Sequence, residues 1–280
     1  MTAPGTLYVI GTPLGNPADL APRALEALRA AEVIFAEDTR TARALLSAHG
    51  LDRPTHSCFD ANEAVRAAEA AALLAAGQTV GLVSEAGMPG VSDPGFRLVR
   101  AAIDAGARVV PVPGPAALLL ALVGSGLPTD RFFFAGFPPR KPGPRRALFA
   151  SLRALPATLL FYESPHRVGA TLADLRDALG DRPACVAREL TKTHEEFVRD
   201  TLAALAARYA EDRPLGEITI VVGGAGEAVE SDDDLEERAA RLLEGGQSAR
   251  DVAQQLAEET GRPRREVYEL VLALKDRDED

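Results

Sequence analysis

The chain has 280 residues, 46% of them hydrophobic, and a formal net charge of -10 at neutral pH. That length supports a sizeable core spread over two domains or slightly more, and the acidic balance argues against a general nucleic-acid coat. No apolar run approaches the ~18–20 residues of a membrane span, the first residues lack the basic and apolar regions of a signal peptide, and Cys58 and Cys185 suit neither a disulfide framework nor a CxxC metal site, so a soluble, cytoplasmic protein is expected.

Alternating strand and helix patterns open the chain. A strand at 7–10 leads to a helix at 23–31, a strand at 33–36 and a helix running to His49, which Gly50 stops. A strand near 55–58 precedes a helix at 62–76, closed by Gly77, and then a strand at 79–83. The helix expected at 94–105 has Pro94 at its start and Gly106 after its end, the usual asymmetry of helix termini. A strand at 108–112 and a helix at 116–123 complete a first α/β domain, assigned to residues 1–120, with a largely parallel sheet.

Three of these strands end in turns built from Gly and Pro: Gly11-Thr12-Pro13-Leu14-Gly15-Asn16, Ser84-Glu85-Ala86-Gly87-Met88-Pro89 and Pro113-Gly114-Pro115. In an open α/β sheet such turns gather at the carboxyl edge, where ligands bind. Glycine lets main-chain N–H and C=O groups approach a ligand closely. A small-molecule site made largely of backbone is the first expectation.

After Ser125-Gly126-Leu127-Pro128 the texture changes, and a second α/β domain is assigned to residues 121–226. Its elements are a strand at 131–135, a Pro- and Arg-rich loop at 136–146, a strand at 158–162, a helix at 165–178, a strand at 184–188, a helix at 201–209 and a strand at 217–222. An acidic linker at 227–234 leads to a helical C-terminal module at 235–280, whose last two helices are split by Thr260-Gly261-Arg262-Pro263. Their spacing resembles a helix-turn-helix, but the module is acidic, so substrate docking or packing is expected there and no DNA partner. Repeats and low-complexity tracts are absent.

Charge is unevenly spread. Residues 231–280 hold 15 acidic and 8 basic side chains, which leaves the first 230 at a net of -3. Within them residues 131–162 carry six basic side chains and no acidic one. Local charge governs an encounter with a polyanion, because salt screens beyond ~10 Å. A solvated arginine loop is the competing explanation.

Four polar clusters follow strands. Glu37-Asp38-Thr39-Arg40 places two acids at a helix start, where capping alone explains one of them. In the turn at 84–95, Glu85 and Asp93 suit a ribose or a reacting hydroxyl, while an N-cap on the helix at Pro94 is the simpler role for Asp93. Glu163-Ser164-Pro165-His166-Arg167 reads equally as a helix start with an exposed His and Arg. The stretch at 188–196 is dense in polar groups and contains Lys192, one of three lysines. There is no GxGxxG, GxSxG, HExxH or P-loop, and His49, His56, His166 and His194 lack metal-ligand spacing. No metal is expected.

Together these motifs resemble the tetrapyrrole methylase superfamily. The matching text is the turn at 11–16, Glu37 to Arg40, Ser84 to Gly95, Val112-Pro113-Gly114-Pro115-Ala116, Phe134-Ala135-Gly136-Phe137-Pro138-Pro139-Arg140-Lys141, Glu163 to Arg167, and Ala187 to Lys192. The resemblance implies two α/β domains with S-adenosylmethionine in the cleft between them. It further implies 2′-O-methylation of a cytidine ribose in 16S rRNA of the small ribosomal subunit, and a homodimer. Pro13, Ser84, Ala86, Gly87, Met88, Pro113, Gly114, Ala116, Ala117, Ser164 and Ala187 are then expected at the cofactor. Glu85, Asp93, Glu37 and Lys192 are the candidates for a general base. Asp38, Arg40, Arg140, Lys141, Arg145, Arg146, His166 and Arg167 are expected at the RNA. Three positions depart from the family text: Glu85 stands for an Asp, Met88 for a Thr and Leu215 for a Lys. A methyltransferase acting on a tetrapyrrole or a protein, and a non-enzymatic nucleotide sensor, are the rival readings.

Overall fold

The computed structural model describes residues 3–212, 214–225, 232–260 and 263–278, and of 232–234 and 276–278 the backbone alone. The chain forms two compact units, Met1–Gly224 and Ala225–Asp280. The first holds two five-stranded sheets.

The first sheet comprises β1 (Thr6–Ile10), β2 (Val33–Ala36), β3 (Thr55–Ser57), β4 (Val80–Val83) and β5 (Arg108–Val112), in the order β3-β2-β4-β1-β5. Every pairing is parallel, so all five strands deliver their carboxyl ends to one edge. Helices α1 (Pro22–Ala30) and α2 (Thr39–Ala48) cover one face, and α3 (Glu63–Ala75) and α4 (Phe96–Asp104) the other. The strand period of two decides which side chain goes where. Leu7 and Val9 join Leu74 and Leu98 in one core, while Ile10 and Ile34 join Leu28 and Leu46 in the other. Cutting any of the fully buried ones to alanine costs about 2–5 kcal/mol.

The second sheet comprises β6 (Phe132–Phe134), β7 (Thr158–Glu163), β8 (Pro183–Arg188), β9 (Glu196–Thr201) and β10 (Ile218–Val222), in the order β6-β7-β10-β8-β9. Only β6 and β7 run parallel; the other pairs are antiparallel. Helices α6 (Pro142–Ser151), α7 (Val168–Leu179) and α8 (Leu202–Glu211) bury Phe149, Leu172, Leu175 and Leu205 against Phe161 and Ile220. On the opposite face α5 (Ala117–Ser125) packs Leu118, Ala121 and Leu122 on Leu160, Cys185, Ala187 and Val221.

Three elements differ from expectation. In sequence, 116–123 closes the first domain, yet α5 packs on the second sheet. Its run Ala-Leu-Leu-Leu-Ala-Leu-Val is apolar all round and has no stripe to announce a partner. Half of the loop expected at 136–146 is α6, because Pro142 and Pro144 occupy its first turn, where proline is tolerated. Strand β9 is charged (Glu-Phe-Val-Arg-Asp-Thr), as an edge strand tends to be, and had no counterpart in the sequence pattern.

The second unit packs α9 (Asp232–Glu244), α10 (Ala249–Thr260) and α11 (Arg264–Asp278) around Leu235, Ala239, Val252, Leu256, Val267 and Val271. Of the expected acidic linker, 227–231 lie outside the described residues and 232–234 are already helical. Gly261 and Arg262 of the expected break also lie outside them. Among the described residues no helix is long and apolar enough to cross a membrane.

Candidate active site

The three Gly-Pro turns meet backbone against backbone at the carboxyl edge of the first sheet. Thr12 and Gly87 exchange both main-chain hydrogen bonds, at 2.9 and 3.0 Å, and the Ser84 hydroxyl donates to the Ala86 carbonyl at 3.1 Å. A Cβ on Gly11 would lie 2.6 Å from the Gly114 Cα and 2.6 Å from the Met88 sulfur. Only glycine permits that approach.

Above them opens a cavity of about 460 Å³. The first half supplies Leu14, Glu37, Glu85 to Met88 and Val91 to Asp93; the second supplies Ala116, Ala117, Phe137, Tyr162 to Pro165 and Gly216 to Thr219. The Tyr162 hydroxyl accepts from the Leu118 amide at 3.2 Å and so ties β7 to the first turn of α5. Ser92, in the wall, has φ +65°, a strained conformation of the kind that collects at functional sites.

Glu37, Glu85 and Asp93 share this cavity. One Glu37 oxygen accepts from the Glu85 amide at 3.3 Å. Burial, followed by the Glu37 charge, pushes the Asp93 carboxyl up to about 6, with Ser84 acting in the opposite direction. The cap expected of Asp93 is made by another residue. Helix α4 begins at Phe96 after Gly95, and the buried Glu63 accepts from the Gly95 amide at 2.8 Å and the Arg97 amide at 2.9 Å. Asp93 is thus released from capping. Glu63 escaped the sequence reading because it is 32 residues upstream.

Lys192 stands outside the cavity wall. Its ammonium meets Glu189 at 2.9 Å and Glu217 at 3.2 Å, and its stem covers Gly15, whose added Cβ would lie 2.5 Å from it. Burial works against the charge, but the hydrogen bonds to Glu189 and Glu217 outweigh it and raise the Lys192 pKa. These two carboxylates hold the ammonium outside the cavity, while the stem lies against Gly15 of the first half. Glu189 (φ +51°) and Thr191 (φ +67°) hold strained backbone in the same loop.

The expected cofactor residues divide. Ser84 is buried under the turn, while Ala86, Gly87, Met88, Ala116, Ala117 and Ser164 line the cavity. Pro113 and Gly114 instead border a second hollow of about 380 Å³ with Asp19, Leu120 and Thr191. Pro13 lines neither, although its neighbour Leu14 lines the first. Ala187 lines neither, being wholly buried against the core of α5.

The expected RNA residues divide too. Arg140 and Lys141 are exposed, as is His166. Asp38 caps α2 through the Arg40 amide at 2.7 Å, and the Arg40 guanidinium beside it holds its carboxyl down at about 2. The Arg40 side chain is itself 89% exposed. Arg167 reaches the Pro138 carbonyl at 2.8 Å and Glu163 at 2.9 Å, a structural tie across the loop. Arg145 is buried on Asp174, with Nε 2.7 Å from Oδ2, so it is no phosphate ligand. Arg146 pairs with the other Asp174 oxygen at 2.7 Å and is 65% exposed.

One parallel and one mixed sheet facing one cavity, floored by interlocked Gly-Pro turns, define a class. The chain belongs to the tetrapyrrole (corrin/porphyrin) methylases, whose family model matches residues 6–206. It is 46% identical, over 98% of its length and 88% of the relative's, to ribosomal RNA small subunit methyltransferase I of Micromonospora olivasterospora. It is 45% identical, over 97% of its length and 99% of the relative's, to the protein of that name from Synechocystis. A model described as the RsmI C-terminal HTH domain matches residues 229–275. Among solved structures, uroporphyrin-III C-methyl transferase from Thermus thermophilus complexed with S-adenyl homocysteine gives a TM-score of 0.54 at 22% identity. It covers 78% of this chain and 97% of that one, a likeness of fold.

Proposed function

We propose that this chain uses S-adenosylmethionine to methylate the ribose 2′-oxygen of a cytidine in small-subunit ribosomal RNA. The observation that carries this reading is identity of 45–46% over nearly the whole chain to proteins named ribosomal RNA small subunit methyltransferase I.

The cavity suits the cofactor. Its volume of about 460 Å³ falls within the ~300–1,000 Å³ of small-molecule sites. A sulfonium is a cation, and Glu37, Glu85 and Asp93 make this wall acidic. The residues that would hold it are Ala86 to Met88, Ala116, Ala117 and Ser164, with Pro13, Ser84, Pro113 and Gly114 shaping the turns behind them. When bound, S-adenosylmethionine supplies an electrophilic methyl group.

The chain's own share is orientation and proton transfer. Fixing a ribose hydroxyl against its reaction partner can lower a barrier by up to ~7–11 kcal/mol. Asp93, with its carboxyl near 6, is ionised at neutral pH yet basic enough to take the hydroxyl proton. Arg40, Arg140, Lys141 and Arg146 are exposed cations suited to phosphates.

Labelled S-adenosylmethionine incubated with this protein and unmethylated small ribosomal subunits should place label on a cytidine 2′-oxygen of the RNA. Label in a small molecule, or none, would reject the reading. The homodimer is part of the proposal, supported by Leu119 and Val123 standing exposed on α5. Light scattering that returns a monomer would remove it.

A further inference from the structure

We propose that Phe137 is the platform on which the base of the target nucleotide stacks. The inference rests on the RNA methylation reading and assigns a residue that reading leaves unused. Phe137 lines the cavity and is nonetheless 58% exposed. Other rings are exposed too, Phe96 more so at 75%, and singly exposed apolar side chains are ordinary. What sets Phe137 apart from these is that it lines the cavity while those other exposed phenylalanines do not.

The ring is held there. Its centroid lies 5.5 Å from that of Tyr162, tilted at 57°, and Phe134 braces Tyr162 from another side, 4.8 Å away and edge-on. Tyr162 is itself anchored by the Leu118 amide. Both chain neighbours of Phe137 are pinned: the Gly136 carbonyl accepts from the Tyr162 amide at 3.0 Å, and the Pro138 carbonyl accepts from Arg167. Gly136, at φ +67°, turns the chain so that the ring faces out.

Position and charge choose the occupant. The exposed cations Arg140 and Lys141 follow three and four residues later on the same loop, while Asp93 waits in the cavity that Phe137 borders. A nucleotide spanning the two would leave its phosphates on the cations, put its ribose in the cavity and bring its base over the ring. Single-stranded RNA is recognised in this way, by bases splayed onto aromatic faces beside a cationic track. Stacking tolerates any base, so Phe137 fixes position, and the identity of the base is read elsewhere. A cofactor adenine is the competing occupant of a ring that lines this cavity, and the S-adenosylmethionine affinity measured below tells the two apart.

The test compares Phe137→Ala, Phe137→Leu and Phe137→Trp with the unaltered protein, using labelled S-adenosylmethionine and unmethylated small ribosomal subunits. A lost stack is expected to lower kcat/KM for the subunits about 5- to 150-fold (about 1–3 kcal/mol per base) in the Ala and Leu variants. Phe137→Trp should recover most of the kcat/KM that Phe137→Ala loses, and the S-adenosylmethionine Kd should be unchanged in all three, which also certifies their fold. Unchanged kcat/KM in Phe137→Ala, full activity in Phe137→Leu, or a parallel loss of cofactor affinity would each overturn the assignment. Failure of the unaltered protein to label the subunits would instead reject the methylation reading beneath it.

Discussion

Asp93→Asn is expected to slow methyl transfer about 10²–10⁴-fold, the usual share of a general base, with cofactor affinity little changed. The same substitution should stabilise the protein at neutral pH. Asp93 sits at about 6 in the fold against an ordinary 3.8, chiefly because burial disfavours its charge. For an acid raised in this way, the stability it contributes is complete below about pH 3.8 and lost as pH rises through about 6. Asparagine never ionises and avoids that loss. Thermal melts of the two proteins should therefore separate above pH 6, with the variant higher, and converge towards pH 4. A variant both inactive and less stable at pH 8 would contradict the assignment and make Asp93 a structural residue.

The pH profile gives a second reading of the same group. With Asp93 as the proton acceptor, the rate for the unaltered protein should fall tenfold per pH unit below about 6 and level off above it. Glu37 is the second cause of the raised Asp93 value, so Glu37→Gln should move the acid limb to lower pH. A limb that stays in place would mean that the titrating group is another one.

How much of this was legible in sequence depended on how local the cause was. The Gly-Pro turns, the parallel first sheet and the convergence of the turns at its edge follow from short-range patterns, since strand, turn and helix signals all act within a few residues. The roles of single polar residues did not follow. Asp93 reads as a helix cap until Glu63, from α3, is seen to occupy that cap. Lys192 reads as a candidate base until Glu189 and Glu217 are seen closing on its ammonium. Ala187 belongs to a matching motif, yet its side chain is committed to the core under α5. Each of these depends on a partner that only the tertiary fold brings near. Helix α5 is the same lesson at the scale of an element: a helix without a polar stripe gives no hint of the sheet it will cover.

Arg145 and Arg146 are adjacent in a run that looks uniformly cationic, and they should behave oppositely. Arg145 and Asp174 have side chains only 7% and 5% exposed, so Arg145→Met leaves a buried carboxylate short of its main partner. Breaking such a pair from one side costs about 3–5 kcal/mol. Arg146 still holds one Asp174 oxygen, which favours the lower end. For a unit of this size about 3 kcal/mol corresponds to a fall in Tm of roughly 6–12 °C. Arg145→Met with Asp174→Leu should recover most of that fall, because an apolar pair leaves no stranded charge in the interior. Arg146→Ala removes a mostly exposed pair and should cost under about 1 kcal/mol. Its effect belongs on the RNA side: neutralising Arg140, Lys141 and Arg146 together should reduce the salt slope of RNA binding by up to about 2, at ~0.7 per single-strand phosphate. If Arg145→Met melted like the unaltered protein while flattening the salt slope, Arg145 would be a phosphate ligand after all, and the Asp174 pair would not survive in solution.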